Sequence, residues 1–248
     1  MGRVGWIHFQ NPHMKTRPPT LSPSPAFTLI ELITVIAVIT ILMSLLYPVL
    51  MMARETARRS KASMATKQIV TSCKNYANDY GKYPPIPAAL VDGSDSGRGE
   101  SSYYSYGDTQ TGKCKVDNSQ LFDVLRGIAR GPNAADELNK RKQSYFEDNK
   151  ATDANNPREG FADGKDFASE LQGQLFDPWG KQYCIVLDAD GDNMLKLDGF
   201  FQDATDPIRS SAAVFSMAKN NEIGGKGYQG RLRKERSKEA PEDIISWE

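Results

Sequence analysis

Histidine is almost missing from this 248-residue chain: there are two, His8 and His13, and both precede Ala26. Beyond that point no imidazole is available, which removes the commonest general base and the commonest transition-metal ligand. Cysteine is sparse as well. Cys73, Cys114 and Cys184 have no C-x-x-C spacing, so zinc and thioredoxin-type sites lack support. In an oxidising compartment one pair can join and leave the third over, and the sequence does not choose the pair. An excess of either charge is also lacking. Lys+Arg and Asp+Glu both count 31, and the basic residues of the first 26 positions are Arg3, Lys15 and Arg17. The remainder therefore holds 28 basic against 31 acidic residues, a formal charge of −3. The one basic concentration, Arg231 to Lys238, is broken by Glu235 and reads as a solvated loop, so nucleic acid is not an expected partner. No phosphate loop, nucleophile–base pair or paired carboxylate stands out, and no enzymatic activity is expected.

What the chain does have is one long apolar run. Leu32 to Met52 reads LITVIAVITILMSLLYPVLMM, 21 residues without a charge. As a helix it spans about 31 Å at ~1.5 Å per residue, which matches a bilayer core of ~30 Å. A secretory signal has a shorter apolar stretch and a small-residue cleavage site after it, and neither applies. An uncleaved single-pass anchor is the plainer alternative. Basic residues flank the run on both sides, with Arg54, Arg58, Arg59 and Lys61 after it, so charge alone does not orient it. Glu31 stands where the chain enters the apolar region, and an ionisable residue there is a functional candidate by default. Pro48 lies inside the run, where it removes a backbone hydrogen bond.

The entry to the run, Ala26 followed by Phe27-Thr-Leu-Ile-Glu-Leu32, resembles the prepilin cleavage and methylation motif. Ala26 stands where that family usually has glycine. The resemblance implies a leader over 1–26, cut after Ala26 by prepilin peptidase, with N-methylation of Phe27. It implies that Glu31 pairs with the Phe27 amine of a neighbouring subunit and that Pro48 lets the helix extend in a filament. A shorter leader starting at Met14 would also suit the family.

Beyond Met52, the apolar positions Ala53, Ala57, Met64, Ile69, Cys73, Tyr76, Ala77 and Tyr80 recur at helical spacing, so the helix is expected to continue to Gly81 before Pro84-Pro85. Residues 86–117 read as an irregular loop. A helix is expected from Asn118 or Ser119, with Leu121, Phe122, Leu125 and Ile128 on one face, ending at Gly131-Pro132. Signals are weak from Asn133 to Gln174. Asp177-Pro-Trp-Gly180 marks a turn, 181–187 a strand, 188–193 a connection, 194–201 its partner strand, and 212–217 a last strand. Trp179 and Trp247 read as core anchors. The expected fold class is α+β: a long N-terminal helix, half membrane-spanning (27–53) and half amphipathic (54–82), packed on a small C-terminal antiparallel sheet. The globular part is 83–248, with an insertion at about 86–175.

Tyr76-Ala-Asn-Asp-Tyr-Gly-Lys-Tyr-Pro-Pro85, the D-P-W-G entry and Asp243-Ile-Ile-Ser-Trp247 resemble the major pseudopilins of type II secretion systems. That resemblance implies a pilin-like lollipop anchored in a bacterial inner membrane by a single pass, with its globular part in the periplasm. Implied partners are prepilin peptidase, membrane lipid before assembly, further copies in a helical filament, other pseudopilins and the inner-membrane assembly platform. A type IV pilus or minor pilin is the nearest alternative, and a membrane-tethered periplasmic binding domain a distant one. The resemblance also implies a calcium-holding C-terminal loop, whose matching positions here are Ser216, Asn220, Glu242 and Asp243; Asn220 stands where the family usually has aspartate. The acidic run Asp188 to Asn193 does not fit an EF-hand, since its glycine falls at the fourth position and Gly199 at the twelfth, and it reads as a turn.

Overall fold

A computed structural model describes residues 28–91, 102–195, 207–218 and 244–246, together with Gly2, Leu197 and Phe200. The fold is α+β. Helix α1 runs from Leu29 to Tyr80, and α2 from Ser119 to Leu125. Strands β1 (Leu90–Val91), β2 (Tyr103–Tyr106), β5 (Cys184–Asp188), β6 (Ala212–Ser216) and β7 (Ile244–Ile245) form one antiparallel sheet in the order β1-β2-β5-β6-β7, and β3 (Gly160–Phe161) pairs with β4 (Leu175–Phe176). The chain divides into two compact units, one ending at Leu50 and one beginning at Met51.

Within the second unit, α1 buries Ala62, Thr66, Ile69, Cys73 and Tyr76, an alternating spacing of four and three that keeps one face of a helix turned inward. Ala53, Ala57 and Met64, expected on that stripe, are exposed. Thr66 takes an inner place because its Oγ1 donates to Ser63 O, so its polar group is satisfied and its methyl can pack. The helix ends where expected. Gly81 adopts φ +75°, the left-handed conformation that closes a helix without a Cβ penalty.

Three tyrosines around this terminus then reach different parts of the fold. Tyr76 stacks on Tyr80 at 4.5 Å between ring centroids and donates its hydroxyl to Leu138 O. Tyr80 donates to Asn139 Oδ1 and Tyr83 to Ser211 Oγ, just ahead of β6.

Strand β5 is buried along its whole length because both faces of the sheet are covered. On one face Ile185, Leu187 and Val214 pack with Ile69, Cys73 and Tyr76 of α1, Leu121, Phe122 and Leu125 of α2, and Phe146 and Phe161. On the other face Cys184, Val186, Ala213 and Phe215 pack under Cys114, Leu195, Leu197, Phe200 and Met217.

This arrangement corrects three expectations. Residues 86–117 are not all loop, since β1 and β2 come from them and β2 is the neighbour of β5. The described residues of 194–201 are not the partner of β5, which lies between β2 and β6; Leu195 makes only an isolated bridge to Ile208. Asp188 explains the departure, because its carboxylate accepts the N–H groups of Asp190, Gly191 and Asn193 and so turns the chain out of the sheet. Finally, α2 stops at Leu125 rather than at Gly131. Gly127 adopts φ +66° with Lys142 backbone atoms 2.9–3.1 Å from where a Cβ would stand, so the chain leaves the helix early.

Burial pushes the Cys73 thiol up to about 12. Burial does the same for Tyr83, also to about 12, against the lowering effect of its bond to Ser211. Both groups keep their protons longer in the folded chain than in the unfolded one. Their contribution is therefore intact below pH 9 and lost as pH rises from about 9 (thiol) or 10 (phenol) toward 12. Urea midpoints of the full chain in detergent, followed by tryptophan fluorescence, should fall across that window, and Tyr83→Phe should make the fall shallower above pH 10.

Candidate functional site

Of the two residues with an expected assembly role, Glu31 lies in the first turn of α1 and Pro48 further along it. Thr28 and Glu31 form a reciprocal cap: Glu31 Oε2 accepts from Thr28 N at 2.8 Å and from Thr28 Oγ1 at 2.8 Å, while Glu31 N donates to Thr28 Oγ1 at 3.3 Å. This is a capping box, T-x-x-E, and it explains why the helix begins at Leu29. Thr28-Leu-Ile-Glu31 carries that signal in the sequence, beside the processing and assembly roles that the prepilin resemblance implies for the same stretch. Ala26 and Phe27 lie outside the described residues.

From Leu29 to Met52 every large apolar side chain is between 46% and 77% exposed. The helix is long and apolar enough to cross a membrane. Its threonine and serine hydroxyls are satisfied within the helix: Thr34 Oγ1 donates to Glu31 O, Thr40 Oγ1 to Ile36 O and Ser44 Oγ to Ile41 O. Such internal pairing is what hydrocarbon surroundings demand of a hydroxyl. Pro48 sits within α1 and has no N–H to offer the Ser44 carbonyl, so the helix runs on with one ladder bond missing.

Of the four positions implied for calcium, Ser216 alone lies within the described residues; Asn220, Glu242 and Asp243 lie outside them. Ser216 is fully buried. Its Oγ donates to Asp177 Oδ2 at 2.5 Å and accepts from Ala218 N at 3.1 Å, so its hydroxyl is already engaged on both sides. The same Asp177 caps the D-P-W-G turn, accepting at Oδ1 from Trp179 N (2.9 Å) and Lys181 N (2.8 Å). Trp179 packs on Ala62 and Ala218, the core role expected of it, and Trp247 lies outside the described residues.

Asp188, Asp190 and Asp192 bring carboxylate oxygens within 4.8 Å of one another. Most of those oxygens already serve the backbone. Besides the three N–H groups that Asp188 accepts, Asp190 accepts from Ser102 N and Asp192 N, and Asp192 from Met194 N. Burial raises the pKa of Asp188. For Asp190 burial works the same way, but the N–H groups of Ser102 and Asp192 outweigh it and pull the pKa down. One carboxylate therefore holds its charge more easily than its neighbour.

A family model described as "Protein of unknown function (DUF1559)" matches residues 51–157. The similarity starts at the last two residues of the apolar run and takes in the second part of α1, β1, β2 and α2. No curated protein and no solved structure matches the chain.

Proposed function

We propose that this chain is a structural subunit of a type II secretion pseudopilus, with no catalytic role. It is made as a membrane-inserted precursor with its globular unit in the periplasm, cut after Ala26 by prepilin peptidase, and assembled through α1 with other pseudopilins on the inner-membrane platform. The observation that carries the reading is the exposed, uncharged run of α1 from Leu32 to Met52, behind the Thr28–Glu31 cap. Covering its apolar side chains is worth on the order of tens of kcal/mol at ~1.5–3 kcal/mol each, so the helix must lie in lipid or against its neighbours.

Lipid tails are as apolar as leucine, so apolar area alone does not draw the helix from the membrane into a filament. A polar pairing does. Cleavage creates a cationic amine at Phe27, and Glu31 of a staggered neighbour supplies the carboxylate that neutralises it in low dielectric. Two copies satisfy each other where one alone carries unpaired charges.

Mass spectrometry of the protein isolated from membranes tests the reading. A mature chain starting at N-methyl-Phe27 is expected, whereas an N-terminus upstream of Ala26 would make the helix a plain anchor. Deletion separates the secretion role from a pilus role: loss of exported protein is expected, and loss of surface fibres with export intact would reassign the chain to a pilus.

A further inference from the structure

The sheet sorts the three cysteines. Cys73 lies in the core between α1 and one face of β5, beside Ile69, Tyr76 and Ile185. Cys114 and Cys184 lie in the core on the opposite face, with Val186 and Phe215. The sheet therefore stands between Cys73 and the other two. Across that second face Cys114 Sγ is 3.3 Å from Cys184 Sγ, and both residues are buried.

The contact is held from both flanks. After β2 the chain leaves the sheet and folds back, and Gly107 N donates to Val116 O at 2.8 Å while Lys115 N donates to Ser105 Oγ at 3.1 Å. Val116 also bridges to Tyr106. Gly107 is the residue that makes room: with φ +147°, a Cβ there would stand 2.8 Å from Cys114 Sγ and 3.0 Å from Cys184 Sγ. The two sulfurs fill the space a side chain would need.

We infer that Cys114 and Cys184 form the disulfide of the mature protein and that Cys73 stays a thiol. The reaction is thiol–disulfide exchange with an oxidised dithiol or glutathione disulfide. One cysteine thiolate attacks the donor disulfide and releases one donor thiol; the second cysteine attacks the mixed disulfide and releases the other. Two protons and two electrons leave the protein, and the donor disulfide is reduced to two thiols. Contact with Cys114 and burial both hold the proton on Cys184 once the fold is complete, so exchange belongs to folding, before the second core closes. Supply of the oxidant rests on the proposed periplasmic location.

The bond would close a long loop, 115–183, whose named helices and strands are α2, β3 and β4. Chain-entropy arguments give the largest gain to such a loop.

The full chain in detergent, reduced and unfolded, can be refolded in a glutathione redox buffer, alkylated and digested. A Cys114–Cys184 linked peptide and an alkylated Cys73 are expected. A linkage through Cys73, or three alkylated cysteines, would overturn the inference. Dithiothreitol should lower the melting temperature of the oxidised protein by roughly 5–15 °C. The variant Cys114→Ser/Cys184→Ser should melt at the lower temperature with or without it. If that variant does not fold, the wild-type comparison decides alone, and a melting point indifferent to dithiothreitol counts against the bond. Protein from membranes, thiols blocked at lysis, separates this inference from the export reading. A globular unit open to an impermeant label with Cys114 and Cys184 reduced overturns the disulfide. A unit closed to the label overturns export instead, and refolding then decides the pairing.

Discussion

Glu31→Gln should abolish filament assembly while leaving the melting of the unit from Met51 onward unchanged. The choice of glutamine separates the cap that Glu31 makes in the structure from the pairing proposed for the same carboxylate. Glu31 caps α1 through Thr28, and glutamine serves in a capping box nearly as well as glutamate. It cannot neutralise an amine. If Glu31 mattered only as a cap, Glu31→Gln would assemble and Thr28→Ala would not. If it matters as the partner of a neighbour's Phe27 amine, Glu31→Gln and Glu31→Ala both fail. Thr28→Ala then assembles with a helix start weakened by about 1 kcal/mol. Sedimentation or electron microscopy of sheared fractions reads the outcome, and fibres at wild-type level from Glu31→Gln would sink the charge-pairing argument. The cap adds a further step. In a lone subunit Glu31 Oε2 is already hydrogen-bonded by Thr28, which leaves its charge without a counter-ion, so the proposed pairing with a neighbour's amine would add neutralisation to a carboxylate the cap has already oriented.

The start and end of α1 were legible because their signals are local: an uncharged run of 21 residues, then Gly81 and two prolines. The inner stripe was half legible. Thr66 and Ser72 are buried but polar, so a count of apolar positions passes over them, while exposed Ala53, Ala57 and Met64 were admitted. Strand β2 was hidden for a different reason. Tyr103-Tyr-Ser-Tyr106 lies beside a Gly/Ser/Asp-rich stretch, and its partner Cys184–Asp188 is some eighty residues away, so nothing local announces the pairing.

The stretch after α2 was opaque because side-chain amides replace the hydrogen bonds of regular elements there. Asn139 donates to Val124 O and Gln143 O and accepts from Gln143 N, while Asn133 Oδ1 accepts from Asn139 N. Both asparagines are fully buried, in places where composition suggests solvent. Asn118 follows the same logic at the head of α2, linking Leu175 and Tyr183 through its amide, which a reading of it as a simple N-cap does not anticipate.

Asp177→Ala is expected to cost about 3–5 kcal/mol and to lower the melting temperature by roughly 6–20 °C. The carboxylate is fully buried and accepts three donors: Trp179 N, Lys181 N and Ser216 Oγ. Alanine leaves all three without an acceptor inside the fold, and it also frees Trp179 from its seat against Ala62 of α1. Ser216→Ala removes only one of the donors, so its cost should be about 1–2 kcal/mol, and the double variant should cost less than the two singles together because they share a bond. Acid titration gives a second handle. Burial raises the Asp177 pKa despite the hydrogen bonds from Ser216, Lys181 and Trp179 that lower it. The folded chain therefore binds this proton more tightly than the unfolded one, and the associated stability is fully present below about 3.8 and is lost as pH rises through the raised pKa. Asp177→Asn keeps an acceptor for the two backbone N–H groups and has no proton to lose, so it should flatten that part of the stability profile while melting above Asp177→Ala. An alanine variant that melts within about 2 °C of the wild type would mean that the turn, β6 and α1 are held together by apolar packing alone.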